Sequence, residues 1–373
     1  MLFAFQPTSS HCCSLFGWKA NSNANWSVQE GVIAADEGDP GLLLTTFQLA
    51  DYELLCDFRL EAGGNSGIFL RTLFEPKDPS VDCYELNLCD SHATFPTGSF
   101  VGRQKIEPRG GCRSKLDVEG AWHTYRIRVE GRRILVTLDG KHVLDFADAS
   151  DQPRTIGHIG LQMNGGKIEF RNVLLRPLST RPIFNGKDLS GWRTVPGSKG
   201  RFEVTDGTIH VGGGPGFLET DSTWGDFVLQ TEVRTNEKNI NSGIFFRAER
   251  ATQEAPSNGY ELQIHNGFAD GDRTKPNDYG SGFGTGAIFR RVKARRIVAD
   301  DGDWFSMTLI AGGPHFSTWV DGYQVVDWTD KREAHANPRR GKRLPAGHIS
   351  LQGHDPSTDL NFKNLRIAEI PDE

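Results

Sequence analysis

The sequence predicts an all-β protein built as two tandem units, each a two-sheet sandwich or jelly roll with few, short helices. Three observations carry this. The segment Asn65-Ser66-Gly67-Ile68-Phe69-Leu70-Arg71 returns 176 residues on as Asn241-Ser242-Gly243-Ile244-Phe245-Phe246-Arg247, and Tyr84-Glu85-Leu86 returns at the same offset as Tyr260-Glu261-Leu262. Apolar residues recur at every second position wherever a period can be read, which is the pattern of strands with one wet face. Asp-Gly pairs join apolar runs at Asp139-Gly140 and Asp321-Gly322, a strong hairpin signal. An offset of that length is too long for a solenoid repeat, so each copy is expected to be a complete domain with its own core. A chain of 373 residues has room for two.

Taken in order, Gly17-Trp18 is answered by Gly191-Trp192, and Trp26-Ser27-Val28 by Phe202-Glu203-Val204. From Tyr52 to Leu60 the even positions are apolar while Glu53, Asp57 and Arg59 are charged, a half-buried strand. The repeated Asn-Ser-Gly segment follows, then Tyr84–Leu88. Next come Thr97-Gly98-Ser99, matched by Thr285-Gly286-Ala287, and Trp122, matched by Trp304. Tyr125–Glu130 alternates cleanly, and Ile134–Leu138 runs into the first Asp-Gly hairpin. His158 and His348 each follow a glycine and read as structural. The last match is Phe170-Arg171-Asn172 with Phe362-Lys363-Asn364. Two prolines bracket small polar residues at Pro177–Pro182, which places the first domain at 1–178 and the second at 179–373. Copy two carries a longer loop over Gly267–Gly284 and a smaller insertion before Gly347.

Composition narrows the function. With 42 Lys and Arg against 48 Asp and Glu the chain is mildly acidic, which argues against binding a nucleic-acid backbone. No apolar run approaches the ~20 residues of a membrane-spanning helix. The start of the chain lacks a basic segment followed by a long apolar one, so no signal peptide is read there, and the sequence itself leaves location and oligomeric state unassigned. All six cysteines lie in copy one, so the fold does not depend on disulfides; packed or surface thiols are the simpler reading, one or two bridges the other.

Strand alternation puts Tyr84, Leu86 and Leu88 on one face and Glu85 and Asn87 on the other; in copy two Glu261, Gln263 and His265 share a face. Counting along the repeated segment, Arg71 joins Glu85 and Arg247 joins Glu261 if the strands are neighbours. Such a face, with arginine, carboxylate, amide and aromatic groups, suits carbohydrate, though an Arg–Glu pair on adjacent strands also serves as a plain cross-strand ion pair. Asn65 and Asn241 precede Ser-Gly and read either as turn residues or as ligands. Asp90 and His92 follow the Glu85 strand as a candidate acid/base pair or as ordinary loop polarity. Asp270, Asp272 and Asp278 lack the spacing of a calcium loop, so no cofactor is expected, with a divalent cation the minor alternative. The basic run Arg290–Arg296 reads as an anion site or as a solvated edge. No G-x-S-x-G, H-E-x-x-H or phosphate-loop motif occurs, and each copy offers one persuasive carboxylate where ordinary glycosidases use two.

The ensemble of N-S-G-I-F-F-R, G-Y-E-L-Q-I, T-G-A-I, a tryptophan strand, a D-G hairpin and a closing L-Q with F-x-N resembles the 3-keto-disaccharide hydrolase domain family, over nearly all of both copies. The resemblance implies concanavalin/LamG-like jelly rolls and a carbohydrate substrate, cleaved as a glycoside oxidised at C3. It also implies export to the periplasm or beyond the cell. The C3 ketone acidifies the C2 proton, so a single base can eliminate the C1 substituent before water adds. On this expectation Glu261 or Glu85 is the base, Arg247 or Arg71 steadies the enolate, and His265 or His92 protonates the leaving group. Asn241, Tyr260 and Gln263, or Asn65, Tyr84, Asn87 and Asp90, hold the sugar. Copy two follows the family pattern more closely. A non-catalytic, lectin-like pair of modules is the rival reading.

Overall fold

A strand whose alternate residues are apolar must bury one face, and both copies do so with two stacked sheets. The computed structural model describes residues 3–4, 14–106, 118–277, 280–337 and 339–371, with strands throughout and no helix among the described residues. Two compact units hold Leu2–Ser179 and Thr180–Glu369.

The first unit contains β1 (Phe3–Ala4), β2 (Trp18–Ala20), β3 (Ser27–Gln29), β4 (Val32–Ala35), β5 (Gly41–Thr45), β6 (Tyr52–Leu60), β7 (Ser66–Thr72) and β8 (Tyr84–Leu88). It continues with β9 (His123–Glu130), β10 (Arg133–Leu138), β11 (Lys141–Ala147), β12 (His158–Met163) and β13 (Ile168–Pro177). The second contains β14 (Arg181–Pro182), β15 (Trp192–Thr194), β16 (Arg201–Thr205), β17 (Thr208–Gly212), β18 (Gly216–Thr220), β19 (Phe227–Thr235) and β20 (Ser242–Ala248). Then follow β21 (Tyr260–Ile264), β22 (Phe305–Gly312), β23 (His315–Val320), β24 (Tyr323–Thr329), β25 (His348–Gly353) and β26 (Asp359–Glu369).

Each unit has a large sheet, β11-β10-β9-β6-β13-β4-β3 or its counterpart β24-β23-β22-β19-β26-β17-β16, and a five-stranded sheet, β2-β5-β12-β7-β8 or β15-β18-β25-β20-β21. The strand orders correspond one to one, and all pairings within them are antiparallel. The expected alternation holds in β6, where Tyr52, Leu54, Cys56, Phe58 and Leu60 are fully buried. Both Asp-Gly hairpins turn with positive φ at both residues (Asp139 +48°, Gly140 +74°; Asp321 +45°, Gly322 +78°), the twist that matches right-handed strands. In the second unit Leu218, Ile244, Phe246, Leu262, Ile264 and Leu351 of the small sheet pack against Leu229, Val233, Met307, Leu309 and Phe362 of the large one. Cys56, Cys83 and Cys89 are buried free thiols; Cys12, Cys13 and Cys112 lie outside the described residues.

One irregularity is repeated. Between β7 and β12, Phe69 faces Gly160 but Thr72 faces His158, so β7 carries an extra residue; β20 does the same against β25. Arg71 (φ +46°) and Arg247 (φ +48°) sit in these bulges. The displaced backbone lies against Gly157 and Gly347, where a Cβ would stand 2.3 Å from the arginine carbonyl carbon. That close approach requires the glycine before His158 and His348.

Candidate active site

The bulge overturns the placement of both arginines. Alternation counted from Phe69 or Phe245 puts them beside the glutamates, but the extra residue reverses the parity. Arg247 is fully buried, donating to the carbonyls of Gly225 (2.9 Å), Gly313 (2.5 Å) and Arg343 (2.9 Å) and pairing with Asp226 at 2.6 Å. Arg71 repeats this with Ala50, Gly131, Arg154 and Asp51. Both fasten loops to a strand and present no donor to a ligand. Tyr260 and Tyr84 are corrected likewise: their rings pack between the sheets and their hydroxyls donate to buried Asp330 (2.7 Å) and Asp148 (2.6 Å). Alternation already sent them inward.

The outward face of the small sheet in the second unit is where polar side chains gather. Register aligns Glu219 of β18, Ser350 of β25, Phe245 of β20 and Glu261 of β21 in one row, and Phe217, Gln352, Gly243 and Gln263 in the next. Glu261 lies over Gly243, where a Cβ would come within 3.0 Å of its carboxylate, so the glycine of the repeated motif makes room for that carboxylate. Only 5% of Glu261 is exposed. Burial raises its pKa above the ordinary carboxylate value, against the opposing pull of Arg339, His354 and Arg290. Arg339 reaches Glu261 at 3.2 Å and lies over the Phe245 ring.

A cavity of about 360 Å³ opens beside this carboxylate, walled by Phe289, Arg290, Arg291, Asn337, Arg339 and Arg340 among others. Glu261 is the one carboxylate among its described lining residues. The second carboxylate of the face, Glu219, is fully buried and immobilised by Arg193 at 2.7 Å and by the backbone N–H of Ala251. Three strand spacings separate it from Glu261, roughly 14 Å, well beyond the ~5–9.5 Å of a two-carboxylate glycosidase.

Gln263 and Asn241, expected to hold hydroxyls, bond to each other at 3.0 Å on this face. His265 is on the same side but four residues along the strand from Glu261, ~13 Å in extended chain. Its Nδ1 accepts the Gly267 N–H, fixing the ring into the long loop. A base at C2 and an acid at the C1 oxygen must serve neighbouring atoms, so His265 cannot be the partner of Glu261. Sequence reasoning missed Arg339 and Glu219. His354, exposed just beyond the end of β25, is hydrogen-bonded to Asp355 at 2.8 Å. A signal for Glu219 existed in its counterpart, Leu44.

Among known families, the model of the 3-keto-alpha-glucoside-1,2-lyase-like domain matches residues 13–176 and again 179–368. The chain belongs to this family. No curated protein matches it. A crystal structure of a "putative glycosyl hydrolase" from Parabacteroides distasonis ATCC 8503 is 20% identical, covering 44% of this chain and 90% of its own, with a TM-score of 0.38. A second of the same description and organism is 24% identical over 52% of this chain and 85% of its own, with a TM-score of 0.39. The carbohydrate-binding module CBM66 from Bacillus subtilis is 18% identical over 42% of this chain and 93% of its own, with a TM-score of 0.31.

The two lyase-like domains differ on the equivalent face. Where the second has Glu219, Ser350 and Arg193, the first has Leu44, Gly160 and Lys19. Leu42, Leu44, Phe69 and Cys83 pack there as an apolar cluster, with Phe74 against it. Glu85 remains, bonded to Gln162 at 3.3 Å. Asn87 is buried, donating to the Phe95 carbonyl, and Asp90 is buried, accepting the Val118 N–H. His92 Nδ1 accepts two backbone N–H groups of its own turn, from Thr94 and Phe95. These three are held by the loop rather than offered to a sugar. Asn65 is half-buried, its backbone paired with Gly165.

Burial pushes the Glu85 carboxyl from 4.5 up to about 6 despite Gln162. A folded pKa above the unfolded one favours the fold below pH 4.5, an advantage lost as pH rises through about 6. Glu85→Gln is therefore expected to stabilise the protein by up to about 2 kcal/mol near pH 8 and by nothing near pH 4. Urea unfolding of both proteins across that range checks this.

Among the described residues no group of three or more His, Cys, Asp or Glu side chains is placed to hold a metal ion. Asp278 lies outside the described residues, Asp272 caps Thr274, and Asp270 pairs with Lys275.

Proposed function

We propose that the second lyase-like domain cleaves 3-keto-glycosides by elimination, with Glu261 as the base. The observation that carries this is a lone buried carboxylate with a raised pKa, set beside a cavity whose other charges are cationic. Glu261 takes the C2 proton; the C1–C2 double bond forms as the C1–oxygen bond breaks. Arg339, 3.2 Å from that carboxylate, is the proposed partner of the enolate oxygen, and the departing oxygen takes its proton from solvent. Water then adds across the conjugated ketone. The family supports the substrate class, and the ~14 Å separation of Glu219 from Glu261 disfavours the two-carboxylate route.

Cleavage of a 3-keto-glucoside in heavy water distinguishes the routes. Elimination and hydration place deuterium at C2 of the released sugar, beyond the exchange of an enzyme-free ketone control. A product with no excess C2 deuterium means direct hydrolysis, and the base assignment falls. Binding without any turnover leaves the carbohydrate-binding reading instead.

A further inference from the structure

The cavity beside Glu261 holds more positive charge than a neutral sugar would use. Four arginines, Arg290, Arg291, Arg339 and Arg340, line it against one carboxylate. Arg339 is engaged with Glu261. Arg291 is engaged with structure: its guanidinium donates to the backbone carbonyls of Arg290 and Arg339, tying one cavity wall to the other. Arg290 and Arg340 remain, both exposed and neither paired with a carboxylate among the described residues. An anion in the cavity would accept charge-assisted hydrogen bonds from both of these guanidinium groups.

The backbone of Arg290 gives a second, independent observation. It sits at φ +59°, a left-handed conformation that favours glycine, and the same corner of the first domain is Gly102 at φ +71°. The correspondence is close. Phe289, one residue earlier, donates to the Glu261 carbonyl as Val101 does to that of Glu85, and Ile288 bridges Val292 as Phe100 bridges Gln104. The second domain thus places a long cation where the turn favours no side chain, and aims it at the cavity. Strain kept beside a candidate site points to use.

We propose that this cavity takes a sugar bearing an oxyanion substituent, a carboxylate or a sulfate or phosphate ester, held by Arg290 and Arg340. The inference rests on the lyase reading for the reaction that follows, but not for the binding itself. The first domain, with Gly102 at that corner, has no counterpart of the Arg290 cation.

Calorimetric titration of the full chain with glucuronate, glucose 6-sulfate, glucose 6-phosphate and glucose tests it. At least one charged sugar should bind about tenfold tighter than glucose, with the advantage shrinking as salt rises. Carboxylate and ester probes separate the two sources of charge. The double variant Arg290→Gly/Arg340→Ala should lose the preference, while Arg290→Gly alone keeps or raises the thermal midpoint because glycine relaxes the turn. Glucose binding as tightly as all three probes, or a preference that survives the double variant, overturns the proposal. Glu261→Gln should bind the charged sugar at least as tightly as wild type. A charge preference beside an active Glu261→Gln enzyme sinks only the reaction, whereas an inactive variant with no preference sinks only the anion.

Discussion

Glu261→Gln is expected to lower turnover of a 3-keto-glucoside by about 10²–10⁴-fold, the usual worth of a positioned general base. Glutamine keeps the shape of the side chain and the room above Gly243 but cannot take a proton. The fold should not suffer. Burial disfavours the charged carboxylate more than Arg339 favours it, so a neutral side chain removes an unfavourable charge, and the urea midpoint at neutral pH should hold or rise. Wild-type activity should climb with pH as Glu261 ionises, at a pH above the ordinary carboxylate range. Glu85→Gln, in the domain whose face is packed with Leu42, Leu44 and Phe69, should leave turnover intact. Wild-type turnover by Glu261→Gln, with loss of turnover by Glu85→Gln, would reverse the assignment of the two domains.

Arg247→Met should act on stability instead, costing roughly 2–4 kcal/mol, because it removes the charged partner of half-buried Asp226 and the donor of three part-buried carbonyls. Arg247→Lys should recover little, since one ammonium cannot reach the fork of partners that a guanidinium spans. Urea unfolding measures the loss, and turnover per folded molecule should stay near wild type. A variant of normal stability with no turnover would return Arg247 to catalysis.

Local features of the fold were legible because strand alternation and Asp-Gly turns are written in neighbouring residues. Tyr52–Leu60 could be read as a strand to the residue, and the repeat made the second copy a check on the first. Arg71 and Arg247 were misplaced for a physical reason: a bulge is defined by the opposite strand, here the Gly-His step of β12 and β25, and alternation along one strand cannot register it. The site was legible in part. Parity alone put Glu261 and Gln263 on one face of β21, as the register has them. Arg339, 78 residues from the carboxylate it meets, lies in an insertion before Gly347, and comparing two copies directs attention to what they share. The informative differences were present as Glu219 opposite Leu44 and Arg290 opposite Gly102.

The buried arginine also bears on the order of assembly. Its partners Gly225, Gly313 and Arg343 stand 22, 66 and 96 residues away in the chain, so its full set of bonds closes only when the chain from Gly225 to Arg343 has come together. We expect such a contact to form after the folding barrier, so that the cost of Arg247→Met falls chiefly on the unfolding rate, as unfolding kinetics in urea would show; a mutant that slows folding instead places the contact in the nucleus. On that expectation the repeated arginine is a latch on the lifetime of each finished domain, independent of whether that domain still handles a sugar.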